Sequence, residues 1–233
     1  MAADLDTVTT DVPTPVGDAR LHAYRVRRAR ALVVLGHGAG RGTDTADLLG
    51  LAHDLAATSV AVVLVDQPWV LAGRKVAAPP PTLDAAWVPA VAAARDVVGA
   101  GRRTPLVVGG RSAGARVACR TAAETRASAV LLLAVPLLPP AERADAGKRH
   151  AALATRLGEL ALPSVAGIPV VAAQGSRDAF GGAAELGDAA HGLLEVVEVP
   201  DADHGLRTRA AGPDPRPVLL VAALRAVALA RGE

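Results

Sequence analysis

One stretch limits the possible folds more than any other: Leu106-Val107-Val108-Gly109-Gly110-Arg111-Ser112-Ala113-Gly114-Ala115-Arg116-Val117-Ala118. It reads as an apolar strand, a sharp turn of the form Gly-x-Ser-x-Gly, and the start of a helix. A serine at the tip of such a turn sits in a strained backbone conformation. Side chains two residues before and two after would collide there, which calls for glycine at 110 and 114. The strain lifts the Ser112 hydroxyl clear of the sheet. It also brings the backbone N–H of Ala113 and the positive end of the following helix to the same spot.

The 233 residues suffice for one domain, expected over 1–233, with a sizeable core. Hydrophobic residues make up 51% of the chain but aromatics only 2%, so aliphatic packing must hold it together. Cys119 is the single cysteine. No intramolecular disulfide can form, which suits a reducing compartment, and a cytoplasmic location is expected. Its place in the helix after the turn suggests a small buried apolar residue rather than a reactive thiol. Residues Met1 to Asp6 lack the basic region and apolar run of a signal peptide. The apolar run from Ala129 to Leu138 is too short to span a bilayer, so no membrane association is expected. Net charge is +2 with a pI of about 9.2. The arginines are scattered among acids. The cluster Arg25, Arg27, Arg28 and Arg30 reads as the solvated end of a hairpin, and no nucleic-acid partner is expected.

Alternation in Leu5-Thr7-Thr9 and Leu21-Ala23-Arg25 predicts two antiparallel edge strands within residues 1–30. Continuous apolar runs predict buried strands at 31–35, 60–65, 106–110, 129–135, 168–173 and 194–199. Helices are expected from Thr43-Asp44 to near Ser59, from Thr82 to about Ala100, after Ser112, across the charged segment Ala141 to Leu162, to about His191, and over 217–230. Residues 70–82 read as a loop. Strands alternating with helices make an α/β fold: a mostly parallel sheet, helices on both faces, and antiparallel N-terminal edge strands.

In such sheets ligands sit at the carboxyl ends of the strands. Those ends deliver, in order, Gly36-His37-Gly38-Ala39-Gly40, Ser112, Asp178 and His204. A serine hydroxyl is a poor nucleophile at neutral pH and needs a base within hydrogen-bond reach; His204 is the candidate. Asp178 would hold the imidazole tautomer, whereas Asp201 and Asp203 stand too near the histidine in sequence and are expected to shape its loop. An oxyanion would take the N–H of Ala113 and that of Ala39. His37 is expected to order that loop. The substrate pocket is expected to involve His37, Gly38, Trp69, Arg111 and Phe180, with Arg111 at its mouth meeting either an anionic substrate group or a carboxylate of the protein. No histidine pair or carboxylate cluster has ligand spacing, so neither metal nor other cofactor is expected.

These pieces resemble the α/β-hydrolase superfamily. Together with Gly109-Gly110-Arg111-Ser112-x-Gly114-x-Arg116, Pro136-Leu137-x-Pro139-Pro140, Gln174-Gly175-x-Arg177-Asp178-x-Phe180-Gly181 and Asp203-His204-x-Leu206, they resemble more narrowly a small lidless, dienelactone-hydrolase-like branch. That branch includes a testis-expressed protein and a chromatin acetyltransferase-complex subunit. The resemblance implies the hydrolase fold and a Ser-Asp-His triad. The expectation is therefore a soluble serine hydrolase that cleaves an ester, thioester or related acyl bond of a small molecule. An amidase or acyltransferase is the alternative within enzymes, and a non-catalytic interaction module of the same fold is the alternative outside them. The sequence leaves the oligomeric state open.

Overall fold

A computed structural model describes residues 6–140 and 144–233. The expectations placed on Leu5 and on the start of the charged segment, Ala141 to Arg143, lie outside the described residues. The elements are β1 (Asp6–Val12), β2 (Ala19–Arg25), β3 (Leu32–Gly36), α1 (Ala46–Ala57), β4 (Ala61–Asp66), α2 (Pro68–Leu71), α3 (Pro80–Val97), β5 (Leu106–Arg111), α4 (Ala113–Thr121), β6 (Ala129–Leu133), α5 (Ala146–Val165), β7 (Val170–Gly175), α6 (Ala183–Ala189), β8 (Glu195–Val199) and α7 (Arg216–Arg231).

The strands form one sheet in the order β1-β2-β4-β3-β5-β6-β7-β8. β1, β2 and β4 pair antiparallel, and the remaining pairs are parallel. The central strands β3, β4, β5 and β6 are valine- and leucine-rich because both faces are covered. Successive side chains alternate between faces. Val34, Val63, Val108 and Leu132 pack under α3, α4, α5 and α6, while Val33, Val62, Leu64, Val107 and Leu131 pack under α1 and α7.

Several boundaries differ from the sequence reading. α3 starts at Pro80, not Thr82: a proline at the first helical position forfeits only an N–H that has no intrahelical partner anyway. Residues 68–71, read as the edge of a loop, form the short helix α2, which Pro68 opens. β6 ends at Leu133 rather than Val135, because Ala134 turns out of the strand at φ 49° and Val135 bonds to a side chain on β7.

α5, the crossover from β6 to β7, lies beside α4. The anchor is Glu159, which accepts from Arg116 at 2.7 and 2.8 Å and from Arg120 and Arg156 at 3.1 and 3.3 Å. Burial raises the Glu159 carboxyl, but the three guanidinium groups outweigh it and hold the acid below its ordinary range. Among the described residues no helix is long and apolar enough to cross a membrane.

Candidate active site

Ser112 stands between β5 and α4 with φ 52° and ψ −107°, a region that non-glycine residues rarely adopt. The flanking glycines have a steric cause. A Cβ on Gly110 (φ 156°) would lie 2.5 Å from the Gly36 carbonyl oxygen, and one on Gly114 would lie 2.7 Å from the Gly36 carbonyl carbon. β3 and its loop therefore pass directly against the turn, and Gly114 N–H donates to the His37 carbonyl at 3.1 Å.

The loops after β7 and β8 bring Asp178 and His204 to this serine. His204 Nε2 is 3.0 Å from Ser112 Oγ, and Nδ1 is 2.8 Å from Asp178 Oδ2. The carboxylate can only accept, so Nδ1 carries the ring proton, and Nε2 is left with a lone pair facing the hydroxyl. The Asp178 side chain is fully buried. Its Oδ1 accepts from the Phe180 N–H at 2.8 Å and its Oδ2 from Gln174 Nε2 at 3.0 Å. The Phe180 ring leans on the His204 ring at 4.3 Å between centroids. Asp203 shapes the histidine loop, accepting from the Gly205 and Arg207 N–H groups, and Asp201 pairs with Arg177.

The loop after β3 is fixed from behind. His37 Nε2 accepts from the Gln67 N–H at 3.0 Å, so its proton is on Nδ1, which donates to the Gly38 carbonyl at 2.8 Å. Burial pushes the His37 imidazole below its ordinary value. Asp66, at the end of β4, accepts from the Thr43 N–H at 2.6 Å and bonds His22 at 3.0 Å. Burial raises the Asp66 carboxyl, yet these hydrogen bonds outweigh it and its value is lowered.

A cleft of about 820 Å³ opens at Ser112. Gly38, Ala39, Arg111, Phe180 and His204 line it. Trp69, His37 and Ala113 do not. α2 tucks Trp69, only 6% exposed, edge-on against the His37 ring at 5.3 Å between centroids. These three residues border a separate void of about 10 Å³, with space for one water molecule. The expectation of Trp69 and His37 as pocket walls is thus corrected. The far walls come instead from the start of α1 (Thr45, Ala46, Asp47) and the start of α7 (Pro215, Arg216, Leu219). Sequence reasoning passed over these residues, and over Gln174, to which it gave no role. The signal for Gln174 was a polar residue inside a buried strand, which must find partners; for the helix starts there was none. Arg111 meets Asp47, Nε to Oδ2, at 3.5 Å. Among the described residues no group of three or more His, Cys, Asp or Glu is placed to hold a metal ion.

Cys119 is buried in α4, and burial first, then Glu159, pushes its thiol up to about 12.

The fold recurs in solved structures. An α/β serine hydrolase homologue from Coxiella burnetii superposes with a TM-score of 0.68 at 12% identity, over 92% of this chain and 96% of that one. An α/β serine hydrolase without a lid from Xanthomonas campestris gives 0.64 at 16%, over 94% of each. A dienelactone hydrolase from Anabaena variabilis gives 0.67 at 17%, over 95% of each. Comparison with curated proteins yields no match. The sequence profile of the family described as alpha/beta hydrolase domain matches residues 29–228. That match covers most of the chain and includes Ser112, Asp178 and His204, so the chain belongs to the alpha/beta hydrolase family.

Proposed function

We propose that the protein is a serine hydrolase of small acyl substrates, a carboxylesterase or thioesterase in type, with Ser112, His204 and Asp178 as its catalytic triad. One observation carries the reading: the unbroken hydrogen-bond chain from Ser112 Oγ through both His204 nitrogens to a fully buried carboxylate, at the floor of an open cleft.

Ser112 Oγ attacks the acyl carbon as His204 Nε2 takes its proton. Asp178 keeps the Nδ1 proton in place and offsets the charge that the ring acquires. The carbonyl oxygen, now an oxyanion, takes the N–H groups of Ala39 and Ala113. His37 supports that hole through the Gly38 carbonyl. The protonated ring then gives its proton to the leaving group, and an acyl-serine remains. Water then adds to the acyl carbon as His204 takes its proton, the bond from that carbon to Ser112 Oγ breaks, the ring returns the proton to Oγ, and the acid departs. No step calls for a cofactor. The continuous sheet supports one domain over 1–233, and the unpaired buried Cys119 favours a cytoplasmic location.

The test is covalent labelling. A fluorophosphonate probe is expected to modify the wild-type protein once, and Ser112→Ala to abolish labelling. A folded wild-type protein that stays unlabelled would favour a non-catalytic role for the fold.

A further inference from the structure

The cleft carries more positive charge than acyl transfer at Ser112 requires. Arg41, Arg111, Arg207 and Arg216 line it, against Asp47 and Asp214. Arg216 is engaged by Asp54 at 2.6 Å. Arg111 is not held in that way. It immediately precedes Ser112, and its side chain is only 20% exposed. A guanidinium offers five N–H donors. Among the described residues this one has two contacts, the Asp47 carboxylate and the His204 carbonyl, both at 3.5 Å and at the outer limit for a hydrogen bond.

Nearby atoms are also unsatisfied. Arg111 Nε and Asp47 Oδ2 face each other as an ion pair too long for a good hydrogen bond, and Thr45 Oγ1 beside them has no hydrogen-bond partner among the described residues. All three belong to residues that line the cleft beside the start of α1. Buried polar atoms are as a rule well paired, so a loose ion pair beside an unpartnered hydroxyl marks a place where a further polar group can be taken up. α1 itself begins without a side-chain cap, so the positive end of a 12-residue helix adds to the field there.

We propose that this end of the cleft is an anion subsite, and that the substrate of Ser112 is an ester carrying a free carboxylate held by Arg111. The proposal rests on the serine-hydrolase reading above. A carboxylate matches the planar fork of a guanidinium, with two parallel hydrogen bonds. Asp47 balances the charge of Arg111 at Nε, and of the outer nitrogens Nη2 makes only the long contact to the His204 carbonyl. Nη1 lies 3.9 Å from where a Cβ on Gly38 would stand, and such a Cβ would be 3.5 Å from Ser112 Cβ. The subsite thus adjoins the nucleophile and the loop of Ala39, and a spacer of a few carbon atoms joins the carboxylate to the scissile carbonyl.

Matched esters test it: mono-4-nitrophenyl adipate with its second carboxyl free, and the same ester with that carboxyl methylated. The wild-type kcat/KM is expected to favour the free acid by about tenfold or more at low salt. The ratio should shrink as NaCl rises from about 20 to about 500 mM, and fall to near one in Arg111→Met. Equal turnover of the two esters by wild-type protein whose Ser112 takes the fluorophosphonate overturns the subsite and leaves the hydrolase reading standing. If Arg111→Met does not fold, salt dependence decides, and a ratio that does not respond to salt overturns the proposal. If Ser112 is unreactive and neither ester is cleaved, the hydrolase reading fails. Calorimetric titration of adipate then judges the subsite alone: binding to wild type at low salt that high salt or Arg111→Met removes upholds it, and no binding overturns it.

Discussion

Gln174 Nε2 stands 3.0 Å from Asp178 Oδ2, donating to the same oxygen that accepts from His204. The amide is fully buried and also reaches the Val135 carbonyl at 3.1 Å and the Gly181 carbonyl at 2.6 Å, while its Oε1 accepts from the Val135 N–H at 2.7 Å. One side chain thus clamps the acid to the exit of β6. Gln174→Met keeps the volume and removes every one of these bonds. It should lower kcat/KM by about ten- to a hundredfold and stability by at least about 2 kcal/mol. Ester turnover and urea unfolding measure the two; a lower unfolding midpoint with unchanged kcat would reduce Gln174 to a packing role.

Asp178 should prove the acid on which turnover depends. Asp178→Asn leaves the shape intact but reverses the ring tautomer, and is expected to cost up to about 10⁴-fold in kcat. Asp201→Asn and Asp203→Asn, which touch only the loop, should stay within about tenfold of wild type by the same comparison. A crippled Asp203→Asn with an active Asp178→Asn would exchange their roles.

His37 should make stability fall in mild acid. Its folded imidazole is held below the ordinary 6.5 by burial, so the unfolded chain takes up a proton that the folded one refuses. The resulting stabilisation is full above about pH 6.5 and is lost as pH drops from there through the lower, folded value. Urea midpoints measured from about pH 7 to about pH 5 should decline, and His37→Asn should flatten the decline. An unchanged slope in the variant would show that another group is responsible.

Glu159 should behave as the keystone between α4 and α5. It is 13% exposed, and without its charge Arg116, Arg120 and Arg156 face one another. Glu159→Gln is expected to cost about 2–3 kcal/mol, somewhat less than for a fully buried pair because water still reaches these groups. Its lowered carboxyl gives stability that is present above about pH 4.5 and lost as pH falls through the folded value. Chemical denaturation of the variant at neutral pH reads the first effect; the wild-type acid limb reads the second.

Long acyl chains should gain little. The cleft ends on arginines and helix starts, and the apolar side beneath Trp69 has only about 10 Å³ of space. Each CH₂ left in water forfeits about 0.8 kcal/mol. For 4-nitrophenyl esters, kcat/KM should therefore not climb from acetate to laurate, nor jump at the micelle threshold. Either rise would mean that an apolar channel opens.

The strand runs, the Ser112 turn and the carboxyl-end loops were legible because each depends on local chemistry. β3, β4 and β5 each open on a run of buried aliphatic residues, and Gly110 and Gly114 answer to a collision with one neighbouring backbone. The pairing of Asp178 with His204 followed from which loops leave the same sheet edge. Trp69 failed for the opposite reason. Its neighbourhood in sequence says loop, yet Pro68 starts a helical turn that turns the indole inward. The cleft walls at Thr45 and Pro215 were hidden because they arise from the docking of α1 against α7, a contact that no local pattern announces.

That docking also sets a schedule. A ribosome releases the residues of the turn around Ser112 long before those of α7, and domains fold as chain becomes available. A nascent chain that has reached residue 200 already contains the serine, but neither His204 nor the wall at 215–219. On the triad proposed above, hydrolysis must wait until the segment carrying His204 has been made and has folded.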